Sequence, residues 1–350
     1  MFGHPTVKRT GLELAQAYHR EVVGPLLARH CPGMPHAAGR LGAGSEVLGL
    51  DDAVSRDHDW GLRLTLLVPE ESRAEVGELL GRELPETFLD LPTSFAFSGE
   101  DEGRHRVEVD SPAGFARARL GVDPRDGLTA RDWLSLTGQA VLEVVAGPVF
   151  VDTSGEITAI REALGWYPDD VWHHVVAADW ARLAEEMPLM SRAGDRGDDL
   201  GSRVIAARLV DVTMHLGFLV ERRWAPYPKW RGLLFADLPR AAAVGEPLRA
   251  VLGAGTWQER QQHLAVALDA LLGLQRRTGL PAPSRSATAP FWERPYLHPD
   301  PDIVPALLDG VADPALRALR PGLGSAEQRT DTVALLVDPA ARRRLVGADR

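Results

Sequence analysis

The stretch Gly42–Gly61, which reads GAGSEVLGLDDAVSRDHDWG, decides how the first part of this chain folds. A turn of small residues that contains Gly44 and Ser45 precedes two carboxylates, Asp57 and Asp59, that are separated by one residue. On an extended backbone, side chains two positions apart point to the same side, so both carboxylates are expected to face one point. Convergent carboxylates at a strand end suit a hard divalent cation. The alternative is an ordinary turn capped by aspartates, since each half of the pattern is common alone.

The residues around this stretch predict a small mixed sheet with helices packed against it. The apolar run Leu62–Val68 predicts a buried strand, and Arg104–Asp110 alternates between polar residues and a face that carries both of its valines. Apolar residues at helical spacing predict two amphipathic helices, Gly11–His30 and Glu70–Leu84. A helix, strand, helix, strand order is typical of an α/β layer.

The pattern becomes helical from Leu128 onward. A short strand and turn is predicted at Val149–Gly155, and the long helices are predicted at Asp169–Leu183, Leu200–Arg223 and Thr256–Thr278. We therefore predict two domains: an α/β domain over residues 1–155 and an all-α domain over residues 156–350.

Composition limits the class of protein. The net charge of -10 disfavours a bulk nucleic-acid surface, although it leaves tRNA as a partner open. Cys31 is the only cysteine, which excludes an intrachain disulfide and fits a reducing compartment. The first ten residues lack the apolar core of a signal peptide, and no apolar run is long enough to span a membrane. These features predict a cytoplasmic protein.

The order of a Gly-Ser turn, a spacer and Asp-x-Asp resembles the nucleotidyltransferase superfamily that includes the aminoglycoside nucleotidyltransferases. His58 departs from that pattern, because the residue between the two aspartates is usually apolar there. Further blocks resemble one uncharacterised bacterial family, DUF4037, and they span most of the chain: Arg56–Gly61, His105–Val109, Tyr167–Trp172, Gly197–Arg203, Glu221–Trp230 and Phe291–Pro295.

The resemblance implies a Mg²⁺ site formed by Asp57, Asp59 and a third carboxylate. We assign the third position to Glu108, because Val107-Glu108-Val109 matches the apolar-acid-apolar third element of the superfamily. Asp110 lies on the same strand face and is the substitute. The alternative for Glu108 is a solvated charge paired with an arginine of its own strand.

The residues predicted to bind the nucleotide are Gly44, Ser45, Lys229, Arg203 and Tyr227. The glycine allows a close backbone approach to phosphates. Lys229 is predicted to reach the triphosphate from the second domain. Its alternative is a surface-loop lysine beside a buried Tyr227 and Trp230, and the alternative for Arg203 is an ion pair with Asp199.

Together these features predict a Mg²⁺-dependent transfer of a nucleoside monophosphate from an NTP, by default ATP, to a hydroxyl of a small molecule. The helical domain would bind the acceptor, and Asp199 or Asp211 is a candidate base for its hydroxyl. Two alternatives stay open. One is transfer to tRNA or protein, and the other is a nucleotide-sensing or partner-binding module without catalysis.

Overall fold

The computed structural model describes residues 9–52, 60–240 and 242–348. The chain divides into two compact units, of which the first comprises Met1–Gly127 and Ala140–Gly165. The second comprises Leu128–Gln139 and Trp166–Arg350. The assignment of catalysis to residues 1–155 and of acceptor binding to residues 156–350 stays a prediction.

The first unit begins with a helical stretch followed by strands. Its elements up to Gly127 are α1 (Gly11–Tyr18), a π-helix (His19–Val23), α2 (Gly24–His30), β1 (Ala37–Gly39), a 3₁₀ helix (Ser45–Leu48), β2 (Arg63–Leu67), a 3₁₀ helix (Glu70–Ser72), α3 (Arg73–Glu83), β3 (Thr87–Phe88), β4 (Leu91–Pro92), β5 (Ser94–Phe95), β6 (Arg104–Asp110), α4 (Pro112–Leu120) and a 3₁₀ helix (Pro124–Asp126). After α5 (Ala130–Ser135), which groups with the second unit, the first unit continues with α6 (Gly138–Val145), β7 (Val149–Asp152) and α7 (Glu156–Ala163).

The main sheet is mixed and has the order β5-β6-β2-β1-β7. Strands β2 and β6 run parallel, with Thr65 opposite Glu108, whereas β1 is antiparallel to β2, with Gly39 opposite Thr65. The chain therefore leaves β1 at the same end of the sheet at which β2 and β6 begin. The glycine turn and the segment before β2 are thus at one end of the sheet.

One face of this sheet packs against the first three helices. The leucines of β2 that face this side, and Val107 of β6, lie in a buried core with apolar residues of the helices, namely Leu14, Tyr18, Val23, Leu27, Val76 and Leu80. Burial of each such side chain contributes roughly 1.5–3 kcal/mol. The opposite face of β2 is also buried at Thr65, so this strand is buried on both sides.

The second unit is mostly helical. After α5 its elements are α8 (Asp169–Asp195), α9 (Asp199–Val220), α10 (Pro228–Ala236), α11 (Ala242–Gly253), α12 (Trp257–Arg277), β8 (Thr288–Pro290), β9 (Leu297–Pro299), α13 (Ile303–Asp309), α14 (Pro314–Arg317), α15 (Ala326–Arg329), α16 (Val333–Leu336) and α17 (Pro339–Val346). Helices α8, α9 and α12 pack on one another, and α11 packs on α12. Within the described residues, no helix is long and apolar enough to span a membrane.

A buried ionic group joins α8, α9 and α15. Nδ1 of His215 lies 2.7 Å from Oδ2 of Asp179, and Nε2 lies 3.6 Å from Oε1 of Glu327. The amide of Gln328 donates to Oδ1 of Asp179 at 2.8 Å. Burial opposes the charged imidazole, but Asp179 and Glu327 outweigh it and raise the pKa of His215 to about 10. His215 is therefore an imidazolium at neutral pH, and its charge compensates buried carboxylates.

The predicted elements are largely confirmed. Strands β2 and β6 and helices α3, α9 and α12 lie where the sequence places them, with ends shifted by a few residues. The helix predicted over Gly11–His30 is continuous but contains a π-helical turn at its centre.

Two expectations were wrong. Helix α8 continues past Leu183 to Asp195, with Pro188 accommodated inside it. Asp170, in the first turn of this helix, accepts hydrogen bonds from the backbone N–H groups of Ala312 and Asp313. The second half is not purely helical, since β8 and β9 form a hairpin whose strands are too short to show a periodic pattern.

The ionic group predicts a pH dependence of stability. The pKa of His215 is about 10 in the folded chain, well above the ordinary histidine pKa of 6.5. Its contribution to the free energy of unfolding is thus complete below about pH 6.5 and is lost as the pH rises to about 10. Urea unfolding of the wild type and of His215→Gln at several pH values in this window measures the contribution of His215 to the free energy of unfolding. We expect the stability difference between the two proteins to shrink as the pH rises.

His263→Gln, a change on α12 away from the ionic group, is the control and should show a constant difference from the wild type. A difference between wild type and His215→Gln that stays constant across the window would contradict the assignment of the charge to His215.

Candidate functional site

Arginine side chains hold the turn at Gly42–Ser45 by donating hydrogen bonds to its carbonyl groups. Arg40 donates to the carbonyl of Leu41 and, at 2.6 Å, to that of Ala43. Arg63 at the start of β2 donates to the same Ala43 carbonyl at 2.9 Å. None of the described residues accepts a hydrogen bond from the backbone N–H of Gly44 or Ser45. The turn thus has its carbonyl side engaged by protein donors.

A buried ion pair underlies this turn. Arg40 and Glu46 have side chains that are only 3% and 7% exposed, and two nitrogens of the guanidinium lie 2.7 and 2.9 Å from the same carboxylate oxygen. Gly44 has φ of +144° and passes close to both partners. A Cβ on Gly44 would lie 2.5 Å from Arg40 Nη2 and 2.5 Å from Glu46 Oε2. Only glycine fits there without displacing the pair.

Glu108 lies on the strand next to β2 and on the face that Thr65 shares. The hydroxyl of Thr65 is 3.3 Å from the backbone nitrogen and the carbonyl oxygen of Leu41, at the beginning of the turn. Both oxygens of Glu108 accept hydrogen bonds from Nη2 of Arg119, at 2.8 and 2.9 Å. The structure therefore brings Glu108 and the glycine turn together, and Thr65 and Arg119 connect them.

Arg119 occupies the space between Glu108 and the turn. Its guanidinium lies 3.7 Å above the centre of the Phe115 ring, and its Nε lies 3.7 Å from Oε2 of Glu143. A Cβ on Gly42 would lie 2.7 Å from Nη2 of Arg119. Sequence analysis did not identify this arginine, because a single arginine near a helix end carries no distinguishing local signal.

The alternative for Glu108, an ion pair with an arginine of its own strand, is not what the structure shows. Arg104 and Arg106, the arginines of β6, both pair with Glu100 instead. Asp110, the substitute third carboxylate, accepts from the backbone of Ser111 at 2.8 Å and from Arg73 at 3.1 Å. It therefore caps the turn that follows β6, as expected of a strand-end aspartate.

Two of the three predicted metal ligands, Asp57 and Asp59, lie outside the described residues, as does His58. Glu108 fits a hard cation by donor chemistry, because its carboxylate is 43% exposed and oxygen donors suit Mg²⁺. No group of three acidic, histidine or cysteine side chains that could hold a metal occurs within the described parts of the chain. The Mg²⁺ site thus stays a prediction that depends on the aspartate pair.

The other predicted nucleotide ligands lie in the second unit. Tyr227 precedes α10 and is 36% exposed, and Lys229 lies in the first turn of that helix with its ammonium 4.8 Å from the centre of the Trp230 ring. Lys229 is thus on a helix and not in a loop, and Tyr227 is not in the core. Arg203 donates to Asp199 at 2.7 Å, which is the ion pair that was its alternative.

The candidate bases for the acceptor hydroxyl are both ion-paired. Asp199 accepts from Arg203 and also, at 2.5 Å, from Arg260, and these partners lower its pKa. Asp211 accepts two hydrogen bonds from Arg231, at 2.9 and 2.7 Å. A lowered pKa makes Asp199 a weaker base, and both oxygens of Asp211 are engaged by Arg231, so the described geometry does not favour either residue.

Sequence analysis also missed the pair of Asp179 and His215. The signal that would have indicated it is a titratable residue within the apolar stripe of each of two successive helices.

Comparison with known proteins agrees with part of the resemblance. Residues 133–231 match the domain of unknown function DUF4037, which confirms that resemblance for the segment from α5 to α10. The solved structure of a nucleotidyltransferase-like protein from Exiguobacterium sibiricum 255-15 has 15% sequence identity and a TM-score of 0.32, with 75% of this chain and 74% of that chain covered. No curated protein matches the chain in sequence.

The close contacts at Gly44 predict a localised effect of substitution. We expect Gly44→Ala to lower the free energy of unfolding by about 1–3 kcal/mol, the range for forcing a side chain into a strained or overfilled position. Chemical denaturation measures this change. Gly49→Ala is the matched control, because Gly49 also has positive φ but an added Cβ would meet nothing within 4 Å. Equal losses in the two variants would show that backbone strain alone matters and that the Arg40–Glu46 pair imposes no constraint.

Proposed function

We propose that this chain is a divalent-metal-dependent nucleotidyltransferase. It would transfer a nucleoside monophosphate from an NTP to a hydroxyl of a small molecule and release pyrophosphate. In this reaction the acceptor oxygen forms a bond to the α-phosphorus, the bond to the pyrophosphate oxygen breaks, and the hydroxyl proton passes to a base. ATP is the donor to test first.

One observation carries the proposal. The glycine turn, the start of β2 and the strand that bears Glu108 meet at one end of the sheet, as the register of β1, β2 and β6 requires. Asp59 precedes the first residue of β2, Arg63, by four positions in sequence. A glycine turn close to Glu108 would supply part of what this reaction needs, and Asp57 and Asp59, which precede β2 in sequence, would complete the three acids.

Each part has a physical role in the proposal. Gly44 and Ser45 would present backbone N–H groups to the β- and γ-phosphates, and the arginines on the carbonyl side would keep the turn rigid. Asp57, Asp59 and Glu108 would hold Mg²⁺, which when bound supplies positive charge against the charge that develops on the phosphates. The base for the acceptor hydroxyl is not assigned.

The second unit would supply further nucleotide contacts. Lys229 is exposed on the first turn of α10, where its ammonium is available to a phosphate, and Tyr227 presents an exposed ring beside it. Arg203 would have to exchange Asp199 for the nucleotide.

The alternative is a module that senses a nucleotide without catalysis. The observation that favours it is the ion pair that occupies both oxygens of Glu108. Incubation of the protein with each NTP, Mg²⁺ and a cell metabolite extract distinguishes the two, with pyrophosphate release and a mass shift of the acceptor as the readouts. Nucleotide binding without either readout would support the sensing module. A shift on added tRNA or protein instead of a metabolite would identify a macromolecular acceptor.

The aspartate pair gives a direct test of catalysis. We expect Asp57→Asn and Asp59→Asn each to lower turnover by at least about 100-fold, the upper range for loss of a residue that supports a bound metal. The melting temperature should change little, since each change keeps the size of the side chain. Asp101→Asn, at an exposed acid in the loop before β6, should turn over normally. Wild-type rates in either pair variant would refute the catalytic assignment.

The third carboxylate is tested by a matched pair of variants. Glu108→Gln should abolish metal-dependent turnover, whereas Asp110→Asn should mainly lower stability, because Asp110 caps the turn after β6 through Ser111. Turnover and urea denaturation of both variants give the comparison. An active Glu108→Gln beside an inactive Asp110→Asn reverses the assignment.

A further inference from the structure

Three guanidinium groups surround the glycine turn, and they differ in how firmly they are held. Arg40 is buried and binds Glu46 and two backbone carbonyls, so it cannot leave without exposing a buried charge. Arg63 donates to the turn itself, at the carbonyl of Ala43. Arg119 donates to both oxygens of Glu108 and lies 3.7 Å from Glu143 through its Nε. The side chain of Arg119 is 14% exposed and that of Glu108 is 43% exposed, whereas those of Arg40 and Glu46 are 3% and 7% exposed, so Glu108 can exchange its guanidinium for water at a lower cost than Glu46 can.

Packing fixes the position of the Arg119 guanidinium, while its N–H groups point towards Glu108. The Phe115 ring lies under its plane, and the helix α4 that carries both residues is anchored at its start by the Ser111 hydroxyl, which accepts from the backbone of Gly114 at 3.0 Å. Gly42 lies against Nη2, so this nitrogen is at the phosphate-binding turn as well as at Glu108. The fork of an arginine matches the oxygens of a phosphate, with stronger hydrogen bonds than a neutral donor provides.

We propose that Arg119 binds the polyphosphate of the nucleotide and that, in the absence of nucleotide, the same guanidinium is held by Glu108. This inference rests on the proposed function. It makes Glu108 and the polyphosphate competitors for one guanidinium. The exchange frees the Glu108 carboxylate at the moment when the phosphates arrive, so the acid becomes available only when substrate is present.

The competition predicts opposite effects of two substitutions on the binding of metal-free ATP. Arg119→Gln should weaken binding by about ten-fold or more, the lower range for loss of a hydrogen bond between charged groups. Glu108→Gln should strengthen binding several-fold, because the guanidinium no longer has a charged competitor. In the double variant the gain from Glu108→Gln should disappear, since no guanidinium remains to be released.

Calorimetric titration with ATP in EDTA, and with inorganic tripolyphosphate as a probe without a base, measures these affinities. Arg117→Gln is the matched control on the same helix, because its side chain is 57% exposed and pairs with Asp126. Asp110→Asn is the control for a general loss of negative charge on β6 and should strengthen binding less than Glu108→Gln does.

Thermal melting reports whether each variant folds. If Arg119→Gln does not fold, Arg119→Lys replaces it, because lysine keeps the positive charge but lacks the two-pronged guanidinium.

Three results would overturn the inference. Unchanged affinity for ATP in Arg119→Gln and Arg119→Lys would show that Arg119 does not bind phosphate, and it would leave the proposed function intact. A gain from Glu108→Gln that persists in the double variant would show that the two residues do not compete. If the wild type binds neither metal-free ATP nor ATP with Mg²⁺, the proposed function fails and the inference fails with it.

Discussion

The buried ion pair of Arg40 and Glu46 is the interaction on which the first unit's site depends. Both side chains are almost fully buried, so neither charge has water to replace its partner. The guanidinium uses its remaining donors on carbonyl groups of the turn, which fixes the path of the chain from Leu41 to Ala43. The requirement for glycine at position 44 follows from this pair, because any side chain there would collide with it.

The sheet extends that constraint to the candidate acid. Thr65 joins the turn to the middle of β2, and the parallel register then determines that Glu108 is its neighbour on β6. Arg119 provides a second connection, because its guanidinium binds Glu108 and lies against Gly42. Among the described residues, the turn and β6 are thus connected through the side chains of Thr65 and Arg119 as well as through the backbone of the sheet.

The second unit uses a buried charge in a different way. There Asp179, His215 and Glu327 form an ionic group with one positive and two negative members, with Gln328 donating to Asp179. The group connects the hairpin of α8 and α9 to a short helix more than one hundred residues later in the chain. Such a group requires one particular packing of the three helices, because every alternative leaves a charge unpaired in an apolar interior. The segment that matches DUF4037 covers α8 and α9, so Asp179 and His215 lie within it and Glu327 lies beyond its end.

The sequence by itself determined the elements and the chemistry of the candidate residues. Alternation in Arg104–Asp110 and helical spacing in Thr256–Thr278 are periodic signals, and both elements form where those signals occur. The order of the Gly-Ser turn and the aspartates predicts a phosphate and metal site from the sequence alone. Only the tertiary structure decided the partners that are distant in sequence: Arg119 for Glu108, Arg260 for Asp199, and His215 for Asp179. The strength of an ion pair depends on the distance between the two charges and on how far burial removes them from water. Neither quantity can be read from the spacing of residues that lie far apart in the chain.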